Sequence, residues 1–252
     1  MIGGLFGNDH QWKELERRWH ELLARPGDLW SPLSRFHMYD CEHGDGEFSG
    51  HSRGARDHLI YKFRNLILDS GLHGYAIGIS APDWAELVTG ERLAAWGDPE
   101  RQCVMNCLWA TLQWASRASV EREVAFVFDD RPARRESNRR LFSLYQYWSE
   151  QKGLVPKPTG LAFLSSDKII PLQAADMFAW ESNRWMKDDV PSRPHFSHFL
   201  KTRRFYFSFG NRAQIQAMLA ETPTGSDAEG NLSRIAAYFR SPSPDPSTLP
   251  LP

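Results

Sequence analysis

The sequence predicts an α/β fold, helices layered over a sheet, and three patterns carry that expectation. Residues 73–80 alternate as a strand does. Residues 123–130 are an apolar run that ends in two acids and reads as a buried strand. Over the last half of the chain, the order strand, helix, strand, helix implies parallel strands joined by crossover helices.

Taken in order, residues 1–6 read as a short strand. Asn8 or Asp9 can cap a helix over 11–24, in which Trp12, Leu15, Trp19, Leu22 and Leu23 share one stripe. Arg25-Pro26-Gly27-Asp28 ends it. Residues 36–43 and the glycines at 44, 46 and 50 read as loop. Ser52 can cap a helix to about residue 70, closed by Gly71. Short helical material at 83–88 leads to a longer helix over 98–117. The strand at 123–130 is followed by a helix over 134–152, stopped by Gly153 and Pro156. Residues 160–166 form another strand, and Ile170-Pro171 opens a helix rich in alanine. Residues 201–209 are basic and aromatic without an assigned structure, and 211–220 form a last helix. Residues 1–220 read as one domain, and 221–252 as a disordered Ser- and Pro-rich tail.

Composition excludes several classes. With 252 residues, ten tryptophans and fifteen phenylalanines, the chain can bury a sizeable core. No run approaches the roughly 20 apolar residues of a membrane span, and residues 1–6 lack the basic region of a secretory signal. Three cysteines without framework spacing point to a reducing cytosol, hence a cytoplasmic protein. A net charge of −1 gives no whole-molecule attraction to nucleic acid, so local patches would have to supply it. The sequence has no phosphate-cradling glycine loop, no nucleophile elbow and no His-Glu-x-x-His pair.

The carboxylates are the informative residues. Asp176 lies among Leu172, Ala174, Ala175, Met177 and Phe178 with no cation within a turn. An ionised carboxylate in such surroundings needs a partner or a metal, unless the start of its own helix suffices to stabilise it. Asp129 and Asp130 end the strand at 123–130, on the sheet edge where α/β folds bind ligands. Asp167 follows the next strand. Acids converging from strand ends and a helix start suit Mg²⁺ or Mn²⁺, which take carboxylate and water ligands. His37, Asp40, Cys41, Glu42 and His43 form a second dense group, read as polar loop, proton-transfer residues or direct ligands. Zinc would need Cys103 and Cys107 as a second half, and their spacing better fits a packed helix face. Arg131, Arg134, Arg135, Arg139 and Arg140 surround the next helix start, where phosphate could be held. Lys201, Arg203 and Arg204 beside Phe205, Tyr206 and Phe207 could bind backbone phosphates and stack bases, and for both clusters a solvated charged face is the plain alternative.

These residues resemble the bacterial domain-of-unknown-function 3800 family. The matching segments are Ile2-Gly3-Gly4-Leu5 with Gln11-Trp12, Phe36-His37-Met38 with Asp40, Phe126-Val127-Phe128-Asp129, and Pro171-Leu172-Gln173-Ala174-Ala175-Asp176-Met177. They span about residues 1–187, and the Leu-Gln-Ala-Ala-Asp segment is the most specific. The resemblance implies a ribonuclease-H-like mixed sheet with acids on its first strand, a later strand and a following helix. It thereby implies a Mg²⁺- or Mn²⁺-dependent nuclease acting on DNA or RNA. Asp129 and Asp176 would hold metal, Asp167 would assist, and Arg134 or Arg135 would steady phosphate. His37 and Asp40 match a family loop of unassigned role. The family opens on a strand ending in Asp-Glu-Ser-Gly, ahead of the segments found here. Without that acid the expectation is a site short of one ligand and of impaired activity. The alternatives are a non-catalytic nucleic-acid-binding module and a protein-interaction component of a defence or mobile-element system.

Overall fold

Strand β1 (Ile2–Phe6) sorts the molecule into layers, because successive side chains point to opposite faces of a sheet. Ile2 and Phe6 face one side, where Phe6 meets Trp114 edge-on at 5.1 Å. Gly3 and Leu5 face the other, and a Cβ on Gly3 would stand 3.1 Å from both Cα and Cβ of Ala179. The bare glycine is what lets a helix lie directly on the strand. The structure, a computed structural model, describes residues 1–117, 123–151, 157–187 and 194–221.

After β1 come α1 (Asp9–Ala24), α2 (Met38–His43), a 3-10 turn (Gly46–Phe48), α3 (Arg53–Asp69), β2 (His73–Ile79), α4 (Ala81–Leu87), α5 (Gly90–Trp96) and α6 (Pro99–Arg117). They are followed by β3 (Val124–Asp129), α7 (Pro132–Gln151), β4 (Pro158–Leu164), α8 (Ile170–Lys187), α9 (Pro194–Lys201), β5 (Phe205–Gly210) and α10 (Arg212–Glu221). Strands β1, β2 and β5 form a mixed sheet in that order, β1 antiparallel and β5 parallel to β2. Strands β3 and β4 pair in parallel as a second sheet, with α7 as their crossover.

The layers follow from side-chain chemistry. One core joins Leu15, Trp19 and Leu23 of α1, Leu59 and Phe63 of α3, and Met177 and Phe178 of α8 to Ala76, Phe205 and Phe207 of the first sheet. Each large apolar side chain fully buried there contributes about 1.5–3 kcal/mol. On the opposite face, Ile77, Trp84, Trp96, Cys103, Ile215 and Met218 form a second core. A third lies under β3 and β4, where Val104, Leu108 and Leu112 of α6 meet Phe142 and Tyr145 of α7. Helix α6 therefore covers both sheets from one side. Helix α8 packs on β1, β2 and β3 from the other.

The capping expected at the start of α1 is present as a reciprocal box between Asn8 and Gln11, and Ser52 caps α3. Two expectations are corrected. Residues 38–43 are helical, not loop. Strand β3 is not buried on both faces: its residues alternate, and Val127 is 46% exposed, on a face that no described element covers closely. Helices α5 and α9 were not anticipated. The expected ends of α7 beyond residue 151 and of the tail beyond 221 fall outside the described residues. Among the described residues, no helix is long and apolar enough to cross a membrane.

Candidate active site

Helix α8 presents Gln173 and Asp176 three residues apart, so both lie on one helix face. Gln173 is 4% exposed, and its Oε1 accepts hydrogen bonds from Trp19 Nε1 and from the Phe36 backbone N–H, both at 3.1 Å. Asp176 Oδ2 accepts the Met38 backbone N–H at 3.3 Å. The two side chains clamp the strip around His37 onto α8. Met38 is the first residue of α2, and its N-cap residue His37 makes no side-chain cap. Asp176 thus satisfies one of the orphan N–H groups at that helix start from another element.

The clamp sets His37 between two carboxylates. Its Nδ1 lies 3.0 Å from Asp40 Oδ2, off the axis of a good hydrogen bond, and its Nε2 lies 3.9 Å from Asp176 Oδ2. Asp129, the last residue of β3, accepts the Ser166 N–H at Oδ1 over 3.1 Å, and its Oδ2 is 4.0 Å from Arg131 Nε. Burial pushes the Asp176 carboxyl above the usual carboxylate range. His37 and the Met38 N–H oppose that shift, the charge of Asp129 adds to it, and Arg131 opposes it. Asp129 and Asp176 are therefore near enough to repel, although they come from a strand end and a helix face far apart in sequence.

Asp167 enters the cluster through a cation. Arg35 pairs with Asp167 and reaches Asp40 Oδ2 at 3.2 Å, tying the turn after β4 to α2. The two arginines expected to steady phosphate are engaged elsewhere. Arg134 pairs with Asp98 at 3.3 Å and Glu100 at 2.6 Å, and Arg135 makes a two-pronged contact with Asp130. The Asp130 carboxyl is held below its ordinary value by that hydrogen-bonded arginine. The cations that do meet the cluster are Arg35 and Arg131. Arg35 was missed, although it directly precedes Phe36-His37 in the sequence.

Of the residues expected to act, His37, Asp40, Asp129, Asp167 and Asp176 share one neighbourhood. Cys41 packs in the main core, where burial raises its thiol to about 12. Cys103 and Cys107 also belong to packing, with burial pushing the Cys103 thiol up to about 12. Among the described residues, no three His, Cys, Asp or Glu side chains converge at metal-ligating distance. Asp129 and Asp176 carry hard oxygen donors of the kind Mg²⁺ uses alongside water and substrate phosphate. No family model, curated protein or solved structure matches the chain.

Proposed function

We propose that the chain is a Mg²⁺- or Mn²⁺-dependent nuclease with a ribonuclease-H-like architecture, similar to the bacterial domain-of-unknown-function 3800 family and acting in the cytosol. The observation that carries this reading is the convergence of Asp129 and Asp176, where the charge of Asp129 adds to the cost of ionising the buried Asp176 carboxyl. A divalent cation relieves that cost, and these two side chains would hold it. Bound there, the ion would polarise the phosphodiester and lower the pKa of an attacking water. The protein's own residues orient the site. Gln173 and Asp176 fix the strip bearing His37, Ser166 orients Asp129, and Arg131 lies where it can meet a phosphate oxygen. Asp167 acts at one remove, by holding Arg35 against Asp40.

The sheet arrangement supports the architectural part. Among the described residues β1 bonds only to β2 and β3 only to β4, while α6 and α8 reach across both sheets. The resemblance expects a strand ending in Asp-Glu-Ser-Gly, and such a strand between β1 and β3 would join the sheets and add a third acid. The test is cleavage of labelled DNA and RNA with Mn²⁺, with EDTA as control, by this sequence and by one carrying that strand.

A second reading, a nucleic-acid-binding module without catalysis, is favoured by the arginines. Arg35 and Arg131 pair with Asp40, Asp167 and Asp129, so arginine charge already balances these carboxylates. Binding without Mn²⁺-dependent cleavage in either form would select it.

A further inference from the structure

One turn beyond the acids on each of two helices stands an aromatic ring. On α8, Trp180 follows Asp176 by four residues, on the same face. On α2, Tyr39 adjoins Asp40, and His43 follows it by one turn. The Tyr39 and His43 rings lie 4.1 Å apart at 30°, and both meet Trp180 edge-on, at 5.5 Å and 6.0 Å. Trp180 packs against the main core. His43 Nδ1 lies 2.8 Å from the Tyr39 carbonyl oxygen. A carbonyl only accepts, so this nitrogen carries the proton and the ring orientation is fixed. Tyr39 is nonetheless 46% exposed. A pair of exposed rings in tilted contact beside an acid cluster has no role in the core.

The geometry points to a base-stacking platform: the Tyr39–His43 pair takes an unpaired nucleobase of a single-stranded nucleic acid, next to the phosphodiester that the acids address. This rests on the nuclease reading and names its substrate class. Every base has a π-face, so such a platform accepts DNA or RNA without strong sequence preference. Bases inside a duplex are already stacked and paired and cannot reach Tyr39, so single strands, or bases splayed from an end, are the fitting ligands. A base kept on the rings has its flanking phosphate on the side of His37, whose ring is 6.3 Å from that of Tyr39, and of the adjoining Asp40.

The test is fluorescence anisotropy of the full chain with labelled oligo-dT and oligo-rU, with Ca²⁺ in place of Mn²⁺. Matching abasic oligomers and a blunt duplex serve as comparison ligands. The expected result is tight binding of the single strands, weaker binding of the duplex, and a loss of about tenfold or more for Tyr39→Ala. Tyr39→Phe keeps the ring face and should bind as the parent does. The abasic oligomers should bind the parent and Tyr39→Ala alike. Equal affinity of Tyr39→Ala and parent for oligo-dT and oligo-rU overturns the platform, as does equal affinity of the parent for duplex and single strand. Mn²⁺-dependent cleavage run in parallel separates the failures. Cleavage with unaltered Tyr39→Ala binding removes the platform alone, whereas neither binding nor cleavage removes the nuclease reading with it.

Discussion

Met38 donates its backbone N–H to the carboxylate of Asp176 over 3.3 Å, so a helix-face acid caps a helix to which it does not belong. One turn earlier on α8, Gln173 accepts from Phe36 in the same way. The Leu-Gln-Ala-Ala-Asp segment thereby acquires a physical meaning. Gln173 and Asp176 hold the strip, and Ala174 is fully buried where α8 meets the core. Asp176 carries two duties that a substitution can separate, since asparagine keeps an acceptor for Met38 and loses the charge.

Gln173→Leu should destabilise the fold by about 1–3 kcal/mol, because the buried donors Trp19 Nε1 and Phe36 N lose their shared acceptor. Urea unfolding measures the loss, and hydrogen exchange should show the Phe36 amide opening first. Wild-type protection at Phe36 in the variant would contradict the clamp.

Asp176→Asn should leave the melting temperature at neutral pH unchanged or raised. An acid whose folded-state pKa lies above its unfolded value binds more protons when folded. Its burial therefore costs stability at neutral pH, and that cost is regained as pH falls through the raised value. The gap between variant and parent, measured by melting in EDTA, should close as pH drops toward 3.8, the ordinary value of an aspartate. A gap that widens on acidification would contradict burial as the dominant cause.

Much of this was legible in the sequence, and the misses have physical causes. Helix caps at Asn8 and Ser52 and the β3–α7–β4 unit follow from local chemistry. So does the carboxylate group, because acids at strand ends are written in one dimension. Helix α2 was hidden because it spans six residues and takes its N-terminal hydrogen bond from Asp176, far along the chain. The exposure of Val127 was hidden because an apolar run does not say what packs over each face of its sheet. Arginine partners were misjudged for the same reason: proximity in sequence favoured Arg134 and Arg135, while folding gives those side chains to Asp98, Glu100 and Asp130.

That reassignment separates two substitutions. Arg131→Ala should lower Mn²⁺-dependent cleavage by about tenfold or more, as expected for a lost charge-assisted phosphate contact. Arg135→Ala removes a solvent-screened surface ion pair and should leave cleavage near the parent level. Cleavage assays on both variants check this, and the reverse order of effects would restore Arg135 as the phosphate residue.

Gly3 and Gly4 form an internal control for the seating of α8. A side chain at Gly3 meets the Ala179 backbone at 3.1 Å, whereas at Gly4 nothing lies within 4 Å. Gly3→Val should cost about 1–3 kcal/mol through overpacking, and Gly4→Val should be close to neutral. Thermal unfolding of the two variants decides it, and equal losses would contradict the close contact between β1 and α8.

The central claim is that Asp176 holds a catalytic metal. Its most direct test compares Mn²⁺-dependent cleavage by Asp176→Asn with that by the parent, each in the form that cleaves and at matched folded fraction. The account predicts that cleavage is abolished while the melting temperature does not fall. Full cleavage by Asp176→Asn would contradict it and leave Asp176 as the cap of α2 alone.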